Sequence, residues 1–273
     1  MDRVFPLDPD TGLRAYAPDT ELIKNYQYSG GLVTKAAFLA ICEKSKAVLQ
    51  REPNVLRVTG KVVIIGDIHG QYYDLLEILR KIKFGKTNKK LVFMGDYVDR
   101  GKNQPEVFAL LFSLKIRYPN SIYLMRGNHE TRDCTERYDF REQMLVCYDA
   151  ECYEAVMDVF DQLPVASIVN GEYLAVHGGI SSRCTSIDQL NQIMRKQEPP
   201  IEDCLFNDLL WADPIAGDEA VNTGEVYNES RKTSVKFGLP VLQQILESEN
   251  LKTLVRAHEE QEDGYRFHKW RGE

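Results

Sequence analysis

The sequence predicts an α/β fold, with helices packed on the faces of a central sheet, and two observations carry that prediction. From residue 61 to residue 130, short β-branched runs alternate with loops and segments of helical period, the β-loop-α repeat of such folds. The apolar runs also end in loops crowded with Asp, His, Asn and Gly, and ligands bind at the carboxyl ends of strands in open α/β sheets.

Taken in order, Thr34 caps a helix expected to run to about Gln50, with Phe38, Ile41, Cys42, Val48 and Leu49 at helical spacing. Pro53 helps to end it, because proline disfavours helix in the residue before it. Residues 61–65 (KVVII) read as a strand, 71–82 as a helix and 91–94 as a second strand. A helix over 105–116 begins with Pro105 in its first turn, and 121–125 is a third strand. A single helical stretch is expected over about 141–161. Residues 166–169 and 172–176 flank Asn170-Gly171, a strong hairpin signal. A loop at Gln197-Glu-Pro-Pro precedes the apolar segment 205–210. A helix over 239–248 feeds a strand at 251–256.

The chain has 273 residues, of which 43% are hydrophobic, enough to bury roughly 70–75% of its unfolded surface without a disulfide or metal staple. No repeat or linker divides it, so one catalytic domain is expected over 31–273 behind an irregular arm at 1–30. In that arm Asp8, Asp10 and Gly12 lack the remaining ligand positions of a calcium loop. A formal charge of −7 argues against nucleic acid as a partner, since tight sequence-independent binding needs a basic footprint. The longest apolar runs fall far short of the ~20 residues that span a bilayer, so no membrane partner is expected. The first ten residues carry neither a basic nor an apolar leader region. The six Cys form no CxxC pair and read as reduced thiols of a cytoplasmic or nuclear protein.

The chemistry lies in the strand-end loops. They read GDIHG at 66–70, GDYVDRG at 95–101, RGNHE at 126–130, VHGG at 176–179 and RAHE at 256–259. His69, His129, His177 and His258 sit there, leaving only His268 of the chain's 5 His elsewhere. Carboxylate, imidazole and amide oxygen suit borderline-hard divalent ions, and no thiolate is present to select a structural zinc. A pair of such ions needs a bridging carboxylate and an open position for water, which becomes a nucleophile near neutral pH. Asp67 and Asp96 can equally be caps or turn residues, and His177 and His258 interior histidines.

The ordered run GDIHG, GDYVDRG, RGNHE, VHGG, RAHE resembles the signature of the binuclear metallophosphoesterases, in their serine/threonine phosphoprotein phosphatase branch. LLWADP at 209–214, the QEPP loop and RAHEEQEDGYR at 256–266 are most similar to the calcineurin-type (protein phosphatase 2B) catalytic subunits. The resemblance implies a calcineurin-like α+β sandwich flanked by helices. It implies hydrolysis of phosphoserine and phosphothreonine in proteins by hydroxide bound to two ions of iron, zinc or manganese. Asp67, His69 and Asp96 would hold the first ion, and Asp96, Asn128, His177 and His258 the second. His129 would be the general acid, oriented by Asp99, while Arg100 and Arg231, with Asn128, would bind the phosphate. Phosphoproteins are the implied substrates, and a regulatory subunit an implied partner.

Two departures from the family pattern stand out. The family follows its second arginine with glycine, where this chain has Lys232. Its catalytic domain also continues past the GYRF segment, and the regulatory-subunit and calmodulin segments of calcineurin would lie beyond Glu273. An edge strand near 265–268 and a weakly stable, poorly active chain are therefore expected. Two alternatives stay open: a phosphoesterase of small molecules such as nucleotide polyphosphates, and a non-catalytic binding fragment. Asn228-Glu-Ser reads as a glycosylation sequon, idle in a cytosolic protein.

Overall fold

A computed structural model describes residues 32–200 and 204–268; the arm at 1–30 and the calcium-loop comparison in it lie outside them. Helix α1 (Lys35–Leu49) starts where the Thr34 side chain accepts the Ala37 N–H. It stops where the buried Arg195 guanidinium takes the carbonyls of Leu49, Glu52 and Pro53. Strand β1 (Val55–Val58) follows, then β2 (Val62–Ile65), α2 (Tyr72–Ile82), β3 (Lys90–Phe93), α3 (Gln104–Arg117) and β4 (Ile122–Leu124). The order β2-β3-β4 is a parallel sheet. Helix α3 is buried on every face from Gln104 to Lys115, as a helix without a clear polar stripe must be.

The expected helix over 141–161 is two helices, α5 (Phe140–Cys147) and α6 (Ala150–Phe160), preceded by a short α4 (Arg132–Arg137). The break falls at Asp149, whose carboxylate accepts the Cys152 N–H and starts a new helix; short polar side chains that bond the local backbone favour caps over helix interiors. Strands β5 (Ala166–Val169) and β6 (Tyr173–Val176) form the expected antiparallel hairpin. Its turn residues Asn170 and Gly171 have φ of 53° and 71°, the positive values that a twisted two-residue turn requires.

Helices α7 (Ile187–Gln192) and α8 (Leu205–Trp211) come next, followed by β7 (Asp213–Pro214), β8 (Glu225–Tyr227), β9 (Val235–Phe237), α9 (Leu239–Ser248) and β10 (Thr253–Val255). A second sheet has the order β1-β5-β6-β10, and a small third sheet the order β7-β9-β8. The expected strand at 265–268 is absent, because that segment pairs with no strand among the described residues. No described helix is long and apolar enough to cross a membrane.

The two larger sheets pack face to face. Leu56, Val58, Val169 and Ala175 of one meet Val92, Met94 and Met125 of the other. Alternation along the strands sends the neighbours outward: Leu91 and Phe93 join α1, α2, α3 and α6, while Leu174 and Val176 join α7, α8 and α9. Each large apolar side chain buried this way contributes roughly 1.5–3 kcal/mol, which holds the strand ends where the site is built.

Candidate active site

The loops after β2 and β3 lock together through the backbone. Ile68 and His69 both donate N–H to the Asp96 carbonyl at 2.9 Å, and Gly70 donates to that of Tyr97 at 2.9 Å. The loop after β4 joins through the Glu130 carboxylate, which accepts the N–H groups of Asp96 (2.7 Å), Tyr97 (2.8 Å) and Gly127 (2.9 Å). A Cβ on Gly127 would lie 2.2 Å from Asp96 Oδ1, so that approach needs glycine. Burial, then the neighbouring Asp96 charge, pushes the Glu130 pKa up to about 7. Sequence reasoning missed Glu130; its only signal was the last letter of RGNHE.

Asp96 stands at the centre, 1% exposed. Its Oδ2 faces His69 Nε2 at 3.4 Å and its Oδ1 faces His177 Nε2 at 3.3 Å. Burial opposes its charge, but the imidazoles of His177 and His129 outweigh this and hold the carboxyl well below the usual range. His69 Nδ1 lies 2.7 Å from the Val98 carbonyl, and His177 Nδ1 2.8 Å from that of Met94. Those carbonyls take the ring Nδ1–H and fix the ring orientation, so both Nε2 atoms point inward at Asp96. Asp67 sits beside them: its Oδ2 is 3.9 Å from His69 Nε2, and its Oδ1 accepts the His258 N–H at 3.2 Å.

Around His177 Nε2 the neighbours are Asn128 Oδ1 at 2.8 Å, His258 Nδ1 at 3.1 Å and Asp96 Oδ1. This is a crowd of acceptors with few protons among them, the donor chemistry that a cation satisfies. His258 Nε2 is buried and without a hydrogen-bond partner. Burial works against charging His177, yet Asp96 pulls its pKa up to about 9. Asp96, His177 and His258 form one group able to hold a metal ion, and His69, Asp96 and His129 another. In the second, His129 is drawn aside by its bond to Asp99, while Asp67 Oδ2 stands 3.9 Å from His69 Nε2 and supplies the third donor. The residues fit a pair of metal ions.

His129 is 3% exposed. Its Nδ1 lies 2.6 Å from Asp99 Oδ2, while its Nε2 faces Asp96 Oδ2 at 3.9 Å. Burial lowers its pKa, but the Asp96 charge and the Asp99 bond prevail and raise it. Asp99 is itself held, its Oδ1 accepting the Phe140 N–H. His69, Asp96, Asp99, Arg100 and His258 all have positive φ, from 43° to 72°. Such backbone strain in non-glycine residues concentrates at functional sites.

The two arginines lie on different sides. Arg100 places its guanidinium over the Tyr138 ring at 5.4 Å, and that ring packs on His129. Arg231 donates through Nε to Asp213 and reaches the His258 carbonyl through Nη2 at 3.4 Å. The candidate metal ligands, His129 and Asp99 thus meet in one cluster, with Arg100 and Arg231 beside it. Asn228 is fully buried, its amide on Asp213 Oδ2, so its sequon is closed to modification. Lys232 has φ 58°, which explains why glycine suits the position after the arginine.

The family described as calcineurin-like phosphoesterase matches residues 60–261. The chain is 35% identical over 271 residues to the serine/threonine-protein phosphatase 2B catalytic subunit A1 of Saccharomyces cerevisiae, covering 96% of this chain and 48% of that protein. It is 36% identical over 234 residues to the serine/threonine-protein phosphatase PP2A-like PPG1 of Candida albicans, covering 85% of this chain and 54% of that one. The chain spans about half the length of these curated relatives. A solved protein serine/threonine phosphatase from Saccharomyces cerevisiae, with similarity to human phosphatase PP5, superposes with a TM-score of 0.80 at 30% identity. That match covers 88% of this chain and 76% of the other.

Proposed function

The chain belongs to the calcineurin-like phosphoesterase family, and from that premise we propose that it hydrolyses phosphoserine and phosphothreonine esters of proteins at the site around Asp96. The observation that carries this reading is one buried carboxylate facing two donor sets, with an acid-held histidine beside it. Asp67, His69 and Asp96 would hold one metal ion; Asp96, Asn128, His177 and His258 would hold the other. Nitrogen and oxygen donors suit iron, zinc or manganese. When bound, such ions polarise a phosphoryl oxygen and make a water acidic enough to attack near neutral pH.

The rest of the work falls to the chain's own side chains. Arg100 and Arg231 grip the phosphate oxygens with planar forks and stabilise the charge that spreads over them in the transition state. As the ester P–O bond breaks and the water oxygen bonds to phosphorus, His129 Nε2 gives its proton to the departing seryl or threonyl oxygen. Asp99, bonded to Nδ1, keeps the ring aimed and favours its protonated form. The relatives' names support proteins as the substrate class. Residues 31–273 constitute the catalytic domain in this reading. The free cysteines support a reducing, cytoplasmic setting.

Metal analysis of the purified chain, with parallel turnover of a phosphopeptide and a diadenosine polyphosphate, tests the reading. Two metals per chain and preferred turnover of the phosphopeptide are expected. Preferred cleavage of the dinucleotide would make it a small-molecule phosphoesterase, and a metal-free, inert chain a binding fragment.

A further inference from the structure

We propose that Asp213 is the positioning residue for Arg231, fixing its guanidinium at the rim of the second donor cluster so that its terminal nitrogens meet the substrate phosphate. This rests on the reading of Arg231 as a phosphate-binding group. Asp213 belongs to β7, which pairs with β9, and it is 3% exposed. Its Oδ2 accepts Arg231 Nε at 2.9 Å and Asn228 Nδ2 at 2.9 Å, while its Oδ1 accepts Arg256 Nη2 at 2.8 Å.

The atoms used are the important detail. Arg231 is held by Nε, so the bond to Asp213 leaves both terminal nitrogens free of that carboxylate, and Nη2 rests on the His258 carbonyl. The side chain is 27% exposed, so the fork is open on one side. Asn228 Oδ1 also accepts from Ser230 Oγ and the Arg231 N–H, which fastens the loop on which Arg231 stands. Arg256, on the other carboxylate oxygen, bonds the carbonyls of Gly178 and Ala212. One buried carboxylate therefore ties Arg231 to the loops that carry His177 and His258.

Asparagine cannot replace it. Its Oδ1 could serve one set of donors, but its NH₂ would face another donor. Without the anchor, Arg231 would have to be ordered at each binding event, and immobilising a long side chain costs affinity.

Inorganic phosphate binding to the manganese-loaded full chain, measured by titration calorimetry, reads this directly. Arg231→Ala should weaken binding about tenfold or more, the loss of a charge-assisted hydrogen bond. Asp213→Asn should weaken it roughly three- to tenfold while the melt stays cooperative. In the Arg231→Ala background Asp213→Asn should add less than about twofold, because the two act as one unit. With phosphopeptide, KM should rise with Asp213→Asn while kcat changes less. If Asp213→Asn does not fold, Asp213→Ser, with space for water, carries the same cycle. Additive losses in the double variant would overturn the positioning role and leave Arg231 as a ligand. No loss from Arg231→Ala alone would instead remove Arg231 from the phosphate site.

Discussion

The half of the site around Asp96 and the half around Arg231 are held by different means. Around Asp96 the loops after β2, β3 and β4 are stitched through their backbone N–H groups: Met94 to the Ile65 carbonyl, Ile68 and His69 to that of Asp96, and three more to the Glu130 carboxylate. Around Arg231 the fastening centres on buried carboxylates, with Asp213 taking Arg231, Asn228 and Arg256, and Asp208 taking Ser234 and Arg183, while Arg231 and Arg256 also reach backbone carbonyls. Backbone stitching places side chains as precisely as the sheet allows and suits a metal centre. Side-chain fastening leaves a partly exposed guanidinium that can be tuned one residue at a time.

The sharpest way to break this contrast is at the shared carboxylate. Asp96→Asn removes the charge that both donor sets face, so both metals and turnover should be lost together. Elemental analysis that still finds two metals per chain, with normal turnover, would end the binuclear reading. The next largest effect should come from His129→Asn. Metal content should hold while phosphopeptide turnover falls by ~10²–10⁴-fold. The deficit should shrink for aryl phosphates, whose leaving groups need little protonation; equal deficits would assign His129 another task.

Smaller effects probe the fastenings themselves. Gly127→Ala drives a Cβ to within 2.2 Å of Asp96 Oδ1 and 2.4 Å of its backbone nitrogen. Overpacking of this kind costs about 1–3 kcal/mol, which urea unfolding should register together with weaker metal retention. An unchanged midpoint would mean that the two loops have room to part.

On the side-chain half the sensitive variable is pH. Burial raises the Asp213 pKa, but the Arg231 bond, aided by His258, Arg256 and Asn228, brings it down to about 2. A carboxyl lowered in the folded state contributes stability above its unfolded pKa of about 3.9, lost as pH falls toward 2. The stability gap between the native chain and Asp213→Asn, of order 2 kcal/mol, should be flat from about pH 7 to 5 and narrow below about pH 4. A gap that does not change with pH would deny the carboxylate its charge.

The smallest expected change is a gain. Lys232 holds φ 58°, a conformation that costs a side chain roughly 1–2 kcal/mol, against glycine's entropy cost of about 0.5–1 kcal/mol. Lys232→Gly should raise the melting temperature by a few degrees at most, and a drop would mean that the lysine side chain stabilises the loop.

The same division governs what could be read from the residues alone. The β-loop-α alternation, the Thr34 cap, the Asn170-Gly171 turn and the strand-end Asp, His and Asn residues were legible, because caps, turns and periodicity act over a few residues. Folding then decided what depends on distant partners. It split the strands into two facing sheets, added β1 to the second, broke the helix at Asp149 and left 265–268 without a strand. It also gave Glu130 and Asp213 their partners, which the letters of RGNHE and LLWADP mark but do not specify. The His258 N–H meets Asp67 Oδ1 across 191 residues of chain. A contact of that span is set by sheet packing, which a local pattern does not encode, because burial and hydrogen-bond satisfaction are properties of the assembled core.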